Sequence, residues 1–335
     1  MNESMEKPVK TTVINTTGVI TLDRPKALNS LNNEMVTIIS EALEKWRDDE
    51  GVEQVVIRSS GKHFCAGGDV REARDGILNG RAGDVDRFFA EEYELNLTIA
   101  NYPKPYIALV SGVDMGGGLG VSAHGTHMVV TEDAFASMPE MNIGYITDVG
   151  MSWRLQHLPK HPTQGLGTFL ALTGYRLTAD DMLETGLATH KVESLDGLAE
   201  RIAQEGLDVL DEIALAPGTS DLARWFDDAD EAFLGSWAQI RKNLENYPEL
   251  RDLTKKLTEK ASPSALVAAA ELMEANASGE LAQALENERI LGAVVCREPD
   301  FAEGVRAVLV DKTHDASFTP EPHPAKYREV LSRPR

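Results

Sequence analysis

The sequence predicts an α/β fold whose C-terminal part is mainly helical. Three observations carry that class. Short unbroken apolar runs within Gln54–Ser59, Tyr106–Val110 and His127–Thr131 read as strands covered on both faces, because a half-exposed strand alternates apolar with polar residues. Stretches of helical character separate them, which argues for β-α-β units and a largely parallel sheet. After about residue 195 the strand signals fade, and Asp221–Val310 is rich in Ala, Leu and Glu at helical spacing.

Taken in order, Val9–Ile14 and Gly18–Asp23 are β-like runs joined by Asn15-Thr-Thr-Gly18, a hairpin. Asn32 or Asn33 caps a helix through about Arg47, with Met35, Ile38, Ile39, Ala42 and Trp46 on one face. After the strand Gln54–Ser59 comes the turn Phe64-Cys-Ala-Gly-Gly-Asp69, then a polar, helical stretch to about Ala100. Tyr106–Val110 leads into Met115-Gly-Gly-Gly118 and a small-residue helix, and His127–Thr131 follows. Leu210–Ser220 reads as a connection, and Pro320-Glu-Pro-His-Pro324 as an extended surface arm.

The 335 residues, 42% of them apolar, suffice for a sizeable core. A formal charge of −21 repels phosphate backbones and anionic lipid, so neither a nucleic-acid nor a membrane-surface partner is expected. Two cysteines, Cys65 and Cys296, imply no disulfide framework. The first residues, Met-Asn-Glu-Ser-Met-Glu, lack the order of a signal peptide, and no apolar run approaches the ~18 residues of a membrane span. A cytoplasmic protein is expected.

Two glycine turns, at 67–68 and 116–118, each follow a strand and open a helix, which aims free backbone N–H groups at whatever lies above. Tight turns explain many such glycines, yet two of them can supply one N–H each to a single oxygen, the construction of an oxyanion hole. Other glycine chemistries fail on spacing. Gly116-Gly-Gly-Leu-Gly-Val121 lacks the last glycine of a dinucleotide fingerprint, no Gly-Lys-Ser/Thr follows, and Gly120-Val-Ser-Ala-His124 ends in His where a serine elbow needs Gly. Cys65 near His63 reads as a small buried hydrophobe rather than a nucleophile. His124 and His127 have no third ligand near them, so no metal is expected. Among the acids, Glu140 follows a stiffening Pro139, Asp148 either caps a helix through Leu158 or acts in a site, and Glu91–Glu94 lie in a charged helix whose acids ordinarily face water.

Together, Gly18-Val-Ile-Thr-Leu-Asp-Arg-Pro-Lys-Ala-Leu-Asn29, Phe64–Asp69, Met115–Gly118 and Met138-Pro-Glu140 resemble the crotonase (enoyl-CoA hydratase/isomerase) superfamily. More narrowly, Glu91-Glu-Tyr93, Ala123-His-Gly125, Asp148-Val-Gly150, Phe169–Leu177 and Phe301–Leu309 resemble its 3-hydroxyisobutyryl-CoA hydrolase branch. The resemblance implies a crotonase-like ββα superhelix over residues 1–211 holding the acyl-CoA site, with a helical region over 212–335. It implies that Gly68 and Gly117 N–H hold the thioester oxygen, that Arg24, Lys26 and Lys62 lie near the CoA nucleotide, and that no cofactor is needed beyond the CoA of the substrate. Members often form trimers or hexamers, so a homo-oligomer is possible here.

Resemblance also separates hydration from hydrolysis. Hydratases carry one glutamate three residues after the second glycine and another at the Pro-Glu position, because adding water to a conjugated alkene needs an acid and a base. Here the first position is Gly120 and the second is Glu140. What remains implies thioester hydrolysis, with Glu140 as nucleophile or base, Asp148 as second carboxylate and Glu92 on the substrate's 3-hydroxyl. A hydratase or isomerase, and a non-catalytic binding protein on this fold, are the alternatives. Ile146-Thr147 stand where the resemblance leads one to expect Phe-Pro, which bears on the acyl pocket.

Overall fold

The computed structural model describes residues 7–332. The opening residues on which the signal-peptide expectation rests lie outside that range. The chain forms two compact units, interleaved along the sequence: unit 1 takes the chain up to Gly68, then Glu94–Ala136 and Thr178–Thr219, and unit 2 takes Asp69–Tyr93, Ser137–Leu177 and the chain from Ser220 onward.

Unit 1 is built on a six-stranded sheet. Strands β1 (Val9–Ile14) and β2 (Thr17–Leu22) form the expected hairpin, with Ile14 paired to Thr17 and Asn15 at φ 50° in the two-residue turn. Asn15 suits that turn, since asparagine tolerates the left-handed region better than most residues. Helix α1 (Asn33–Arg47) is capped by the Asn32 side chain, which accepts from Met35 N–H. Strand β3 (Gln54–Ser59) lies parallel to β2. Two helices follow, α2 (Val70–Leu78) and α3 (Ala82–Ala100), where one helical stretch was expected. The break falls at Asn79-Gly80-Arg81, with Gly80 at φ 72°.

Next come β4 (Tyr106–Val110), β5 (Val113–Met115), α4 (Gly117–Ser122) and β6 (His127–Thr131). Short strands β7 (Phe135–Ser137) and β8 (Leu177–Thr178) and helices α5 (Met151–Arg154), α6 (Gln164–Thr173) and α7 (Ala179–Thr185) precede the last strand, β9 (His190–Val192). The sheet order is β1-β2-β3-β4-β6-β9, parallel throughout except for the edge strand β1. Helices α8 (Leu198–Glu205) and α9 (Asp208–Ile213) cover it, burying Leu198, Ile202, Val209 and Leu210 against Val56, Ile107, Leu109, Val129 and Val192. Each such side chain removed from water contributes about 1.5–3 kcal/mol before entropy is charged.

Unit 2 is helical, with α2, α5, α6, α10 (Phe226–Ala232), α11 (Trp237–Asn243), α12 (Pro248–Leu257), α13 (Pro263–Asn276), α14 (Leu281–Val295), α15 (Pro299–Val305) and α16 (Ala325–Leu331). Helix α13 is apolar nearly all round, which is sustainable only at the centre of a bundle. It is buried over Ser264–Met273 and packs against α6, α14 and α16. The expected surface arm at Pro320–Pro324 is irregular, but the chain then turns back as α16. Tyr327 is fully buried with its hydroxyl on Glu298 (2.8 Å), and Arg328 grips Glu271 at 2.8 and 3.0 Å.

Candidate functional site

In unit 1 the two glycine turns lie side by side. Cys65 N–H donates to Val113 O and Met115 N–H donates to Cys65 O, both at 3.0 Å, so the first turn runs alongside β5 and enters the second. Gly116 has φ 49° and ψ −122°, a conformation closed to a residue with a Cβ, and Gly67 has φ 114°. A Cβ on Gly67 would stand 3.5 Å from Met115 O and 4.0 Å from Gly117 N. The N–H groups of Gly68 and Gly117 take no backbone acceptor among the described residues.

Beneath the second turn lies a group that sequence reasoning missed. Asp114 is fully buried, its Oδ2 accepts from Ser122 Oγ at 2.6 Å, and its Oδ1 has no hydrogen-bond partner among the described residues. A Cβ on Gly118 would stand 2.4 Å from that Oδ1 and 2.8 Å from Cys65 O. Burial pushes the Asp114 carboxyl up to about 7. Farther along α4, Asn96 Nδ2 donates to Gly120 O at 2.9 Å.

The expected basic residues fall on neighbouring loops. Asn29, at φ 55°, ties Arg24 N–H to the carbonyls of Ser60 and His63, and Arg24 donates to Ser30 O at 2.8 Å. A Cβ on Gly61 would lie 3.0 Å from Pro25 Cβ, so the two loops meet there, and Lys26 and Lys62 beside those residues are exposed. Cys65 is fully buried, with Sγ on Asn29 O, consistent with a packing role. Among the described residues no group of three His, Cys, Asp or Glu is placed to hold a metal ion, and His127 instead stacks on His190.

Unit 2 gathers the acids. Helix α3 carries Glu92 and Tyr93, a 3₁₀ turn begins at Glu140 after Pro139, and Asp148 lies before α5. Glu92, Glu140 and Asp148 are 2%, 8% and 5% exposed, so the Glu91–Glu94 stretch does not simply face water. Tyr93 hydroxyl donates to Asp148 Oδ2 at 2.7 Å and lies 3.4 Å from Tyr145 hydroxyl. Oε1 of Glu92 and Oε2 of Glu140 have no hydrogen-bond partner among the described residues.

Asp148 is not a helix cap: α5 starts at Met151 with Gly150 at its N-cap, and a 3₁₀ turn finishes the segment at His157. The cap comes instead from α14. Glu288, fully buried, accepts from Gly150 N–H at 2.8 Å and Ser152 N–H at 3.3 Å, and also from the Ser152 hydroxyl. A glutamate in the Leu285, Glu288, Leu291 row was the sequence signal for it, an acid in a core-facing position. Between Asp148 and Gly150, Val149 has φ 52°, a strained conformation for a β-branched residue. Ile146 and Thr147 are fully buried, with Thr147 Oγ1 donating to Ala171 O at 3.0 Å.

Burial dominates the electrostatics of this cluster. Burial and then the charge of Asp148 raise Glu92 and Glu140 well above the ordinary carboxylate range, and Glu92 adds to the push on Glu140. Burial lifts Asp148 to about 7, checked by the hydrogen bond from Tyr93, and lifts Glu288 to about 8. The cluster therefore keeps its protons to higher pH than exposed carboxyls do.

The family is shown by comparison with known proteins. A model described as enoyl-CoA hydratase/isomerase matches residues 17–331. A Danio rerio protein named 3-hydroxyisobutyryl-CoA hydrolase, mitochondrial, is 39% identical over 330 residues, covering 90% of this chain and 82% of that protein. Two crystal structures superpose closely. A carnitinyl-CoA dehydratase from Mycobacterium thermoresistibile has TM-score 0.88 at 32% identity, covering 98% of this chain and 97% of its own. An enoyl-CoA hydratase from Rhodobacter sphaeroides has TM-score 0.87 at 33% identity, covering 97% of each chain. The chain thus has the crotonase-like α/β fold with a helical C-terminal part, and it is an enzyme belonging to the enoyl-CoA hydratase/isomerase family.

Proposed function

We propose that the chain hydrolyses the thioester of a short 3-hydroxyacyl-CoA, with 3-hydroxyisobutyryl-CoA, the substrate named for the Danio rerio relative, as first candidate. The observation that favours hydrolysis over hydration is the bare Gly120. Hydration needs an acid and a base on one water, and of the two positions only Glu140 carries a carboxyl.

In this reading the Gly68 and Gly117 N–H groups receive the thioester oxygen. Attack makes the carbonyl carbon tetrahedral, and backbone donors fixed by their turns stabilise the developing charge without reorganising. Glu140 either attacks the carbon, giving a mixed anhydride that water opens, or takes a proton from the attacking water. Both routes break the C–S bond and release CoA as a thiolate, whose parent thiol has a pKa of about 8.5, so the leaving group needs little help. Both also need Glu140 ionised, and the buried cluster makes that form available only as pH rises. Asp148, anchored by Tyr93, orients substrate or takes up the proton, and Glu92 contacts the 3-hydroxyl. Lys26 and Lys62, with Arg24, meet the CoA nucleotide, the local cationic surface that an acidic chain must supply for a polyanion. Coenzyme A enters as part of the substrate, no further cofactor is invoked, and the pathway this serves is valine breakdown. Cys65 and Cys296, both buried and in no disulfide, suit a reducing compartment, cytoplasmic or, as named for the relative, mitochondrial. Among the described residues no helix is long and apolar enough to cross a membrane.

The test is thiol release across 3-hydroxyisobutyryl-, 3-hydroxypropionyl- and crotonyl-CoA, with Glu140→Ala as control. Free CoA from the hydroxyacyl thioesters, abolished by the substitution, is the expected result. Rapid loss of the crotonyl-CoA ultraviolet absorbance with no thiol from any substrate would establish a hydratase instead, and tight binding with neither reaction a binding protein. A single turnover in ¹⁸O-water tests the anhydride route, since label on Glu140 requires an anhydride opened at the glutamyl carbonyl, whereas opening at the acyl carbonyl and direct attack by water both label only the product acid.

A further inference from the structure

Asn96 is buried completely and half-satisfied. Its Nδ2 donates to Gly120 O at 2.9 Å, while its Oδ1 has no hydrogen-bond partner among the described residues. The first bond has a plain cause. Helix α4 ends at Ser122, and the next N–H, of Ala123, goes to Leu119 O, so the Gly120 carbonyl belongs to a last turn that has run out of backbone donors. Asn96 caps that carbonyl, which fixes the amide so that Oδ1 faces the other way. Leaving a buried acceptor unmade costs about 1–3 kcal/mol, and buried polar atoms nearly always find a partner. An alanine or leucine would fill this place on α3 without that cost.

The place itself suggests what the acceptor is for. Gly120 lies three residues, about 4.5 Å of helix rise, beyond Gly117. It has no side chain where the resemblance implies a hydratase's carboxylate, and Asn96 is bonded to the carbonyl of that same residue. If the thioester oxygen rests on Gly117 N–H, a hydroxyl on the third carbon of the acyl group lies within about one helical turn of it.

We propose that Asn96 Oδ1 accepts a hydrogen bond from the 3-hydroxyl of the acyl group, which makes Asn96 a specificity-determining residue for hydroxyacyl over plain acyl thioesters. The assignment rests on the thioesterase reading for its substrate class. It leaves a role for Glu92, because a hydroxyl both donates and accepts, and Glu92 in its protonated form can donate while Asn96 only needs to accept.

Two thioesters that differ by this one oxygen decide it: 3-hydroxyisobutyryl-CoA and isobutyryl-CoA. The wild-type protein should favour the hydroxyacyl substrate by about 10–100-fold in kcat/KM, the worth of one hydrogen bond to a buried partner that would otherwise stay unpaired. In Asn96→Ala and Asn96→Leu that ratio should fall to about 1–3, chiefly through loss on the hydroxyacyl substrate. An equal fall on both substrates would mean that Asn96 only props α4, and an unchanged ratio would also overturn the assignment. If Asn96→Ala does not fold, Asn96→Ser reads the same ratio. Should the wild-type protein release thiol from neither substrate, the hydrolase reading fails by itself. The ratio of dissociation constants for the two thioesters, measured calorimetrically in wild type and variant, then decides the Asn96 contact by the same criterion.

Discussion

Set beside the acid cluster of unit 2, the glycine turns of unit 1 are made of backbone alone. Their donors come from two short, local motifs, and what positions them is a missing side chain at each of several residues. The cluster is the reverse. Glu92, Glu140, Asp148 and Glu288 come from four separated segments, and their chemistry depends on being buried together. A backbone feature can be written into five consecutive residues. A proton affinity cannot, because it belongs to the surroundings of the carboxyl and not to the residue type.

The largest effect should come from the cluster. Glu140→Ala should lower the rate of thiol release by about 10²–10⁴-fold, whereas deleting the exposed Glu94 should leave it unchanged. An equal loss in both would erase the distinction between the two acids. Next in size is a test of the backbone half. Gly118→Ala puts a Cβ where Asp114 Oδ1 and Cys65 O already stand, and the latter is backbone that cannot swing aside. Displacing the Gly117 donor should cost about 10²–10³-fold in kcat, with little change in the binding of CoA itself, checked by steady-state kinetics and calorimetry.

The pH dependence comes third. Because the cluster's carboxyls sit above their ordinary range, the ionised Glu140 that the proposed hydrolysis needs is scarce at pH 5 and grows as pH rises, beside an Asp148 raised to about 7. A profile of kcat/KM should therefore climb through neutrality rather than near 4.5. Tyr93→Phe removes the hydrogen bond that favours the Asp148 carboxylate and should move the rising limb to higher pH. A limb that stays put would show that Asp148 does not share the titration.

The smallest effect concerns stability under the glycine turns. The Asp114 carboxyl titrates at about 7 in the folded protein against 3.8 for the ordinary group. Folding thus carries no ionisation penalty below pH 3.8, gains it as pH rises from there to about 7, and keeps it above. Asp114→Asn removes the penalty, so thermal unfolding should show the variant more stable than wild type at pH 8 and not at pH 4. Equal shifts at both values would point to packing alone.

These contrasts also explain what could be read from the sequence. Strands β3, β4 and β6 fall on the expected residues because buried parallel strands leave unbroken apolar runs, while the exposed antiparallel edge strand β1 was marked by the turn that follows it. The turn at Asn79-Gly80-Arg81 was hidden inside a polar stretch that reads as one helix, and β5 is only three residues long. Glycine pairs announced the two turns. Resemblance singled out Glu140 and Asp148, yet Asp148 read equally as a cap, since the residue that caps that helix, Glu288, lies on α14. Asn96 and Asp114 left a fainter mark, a polar residue in an apolar phase, which only burial turns into an observation.

The return of the chain through α16 has a practical consequence. From Asp311 to Ser317 the backbone is irregular and mostly exposed, with Lys312 open to solvent, while beyond it Tyr327 and Arg328 are held by Glu298 and Glu271. Peptide continuity at Lys312 is therefore redundant for keeping α16 in place. A chain nicked there by trypsin should run as two bands in detergent and as one particle in a native gel, a plug still seated after its tether is cut.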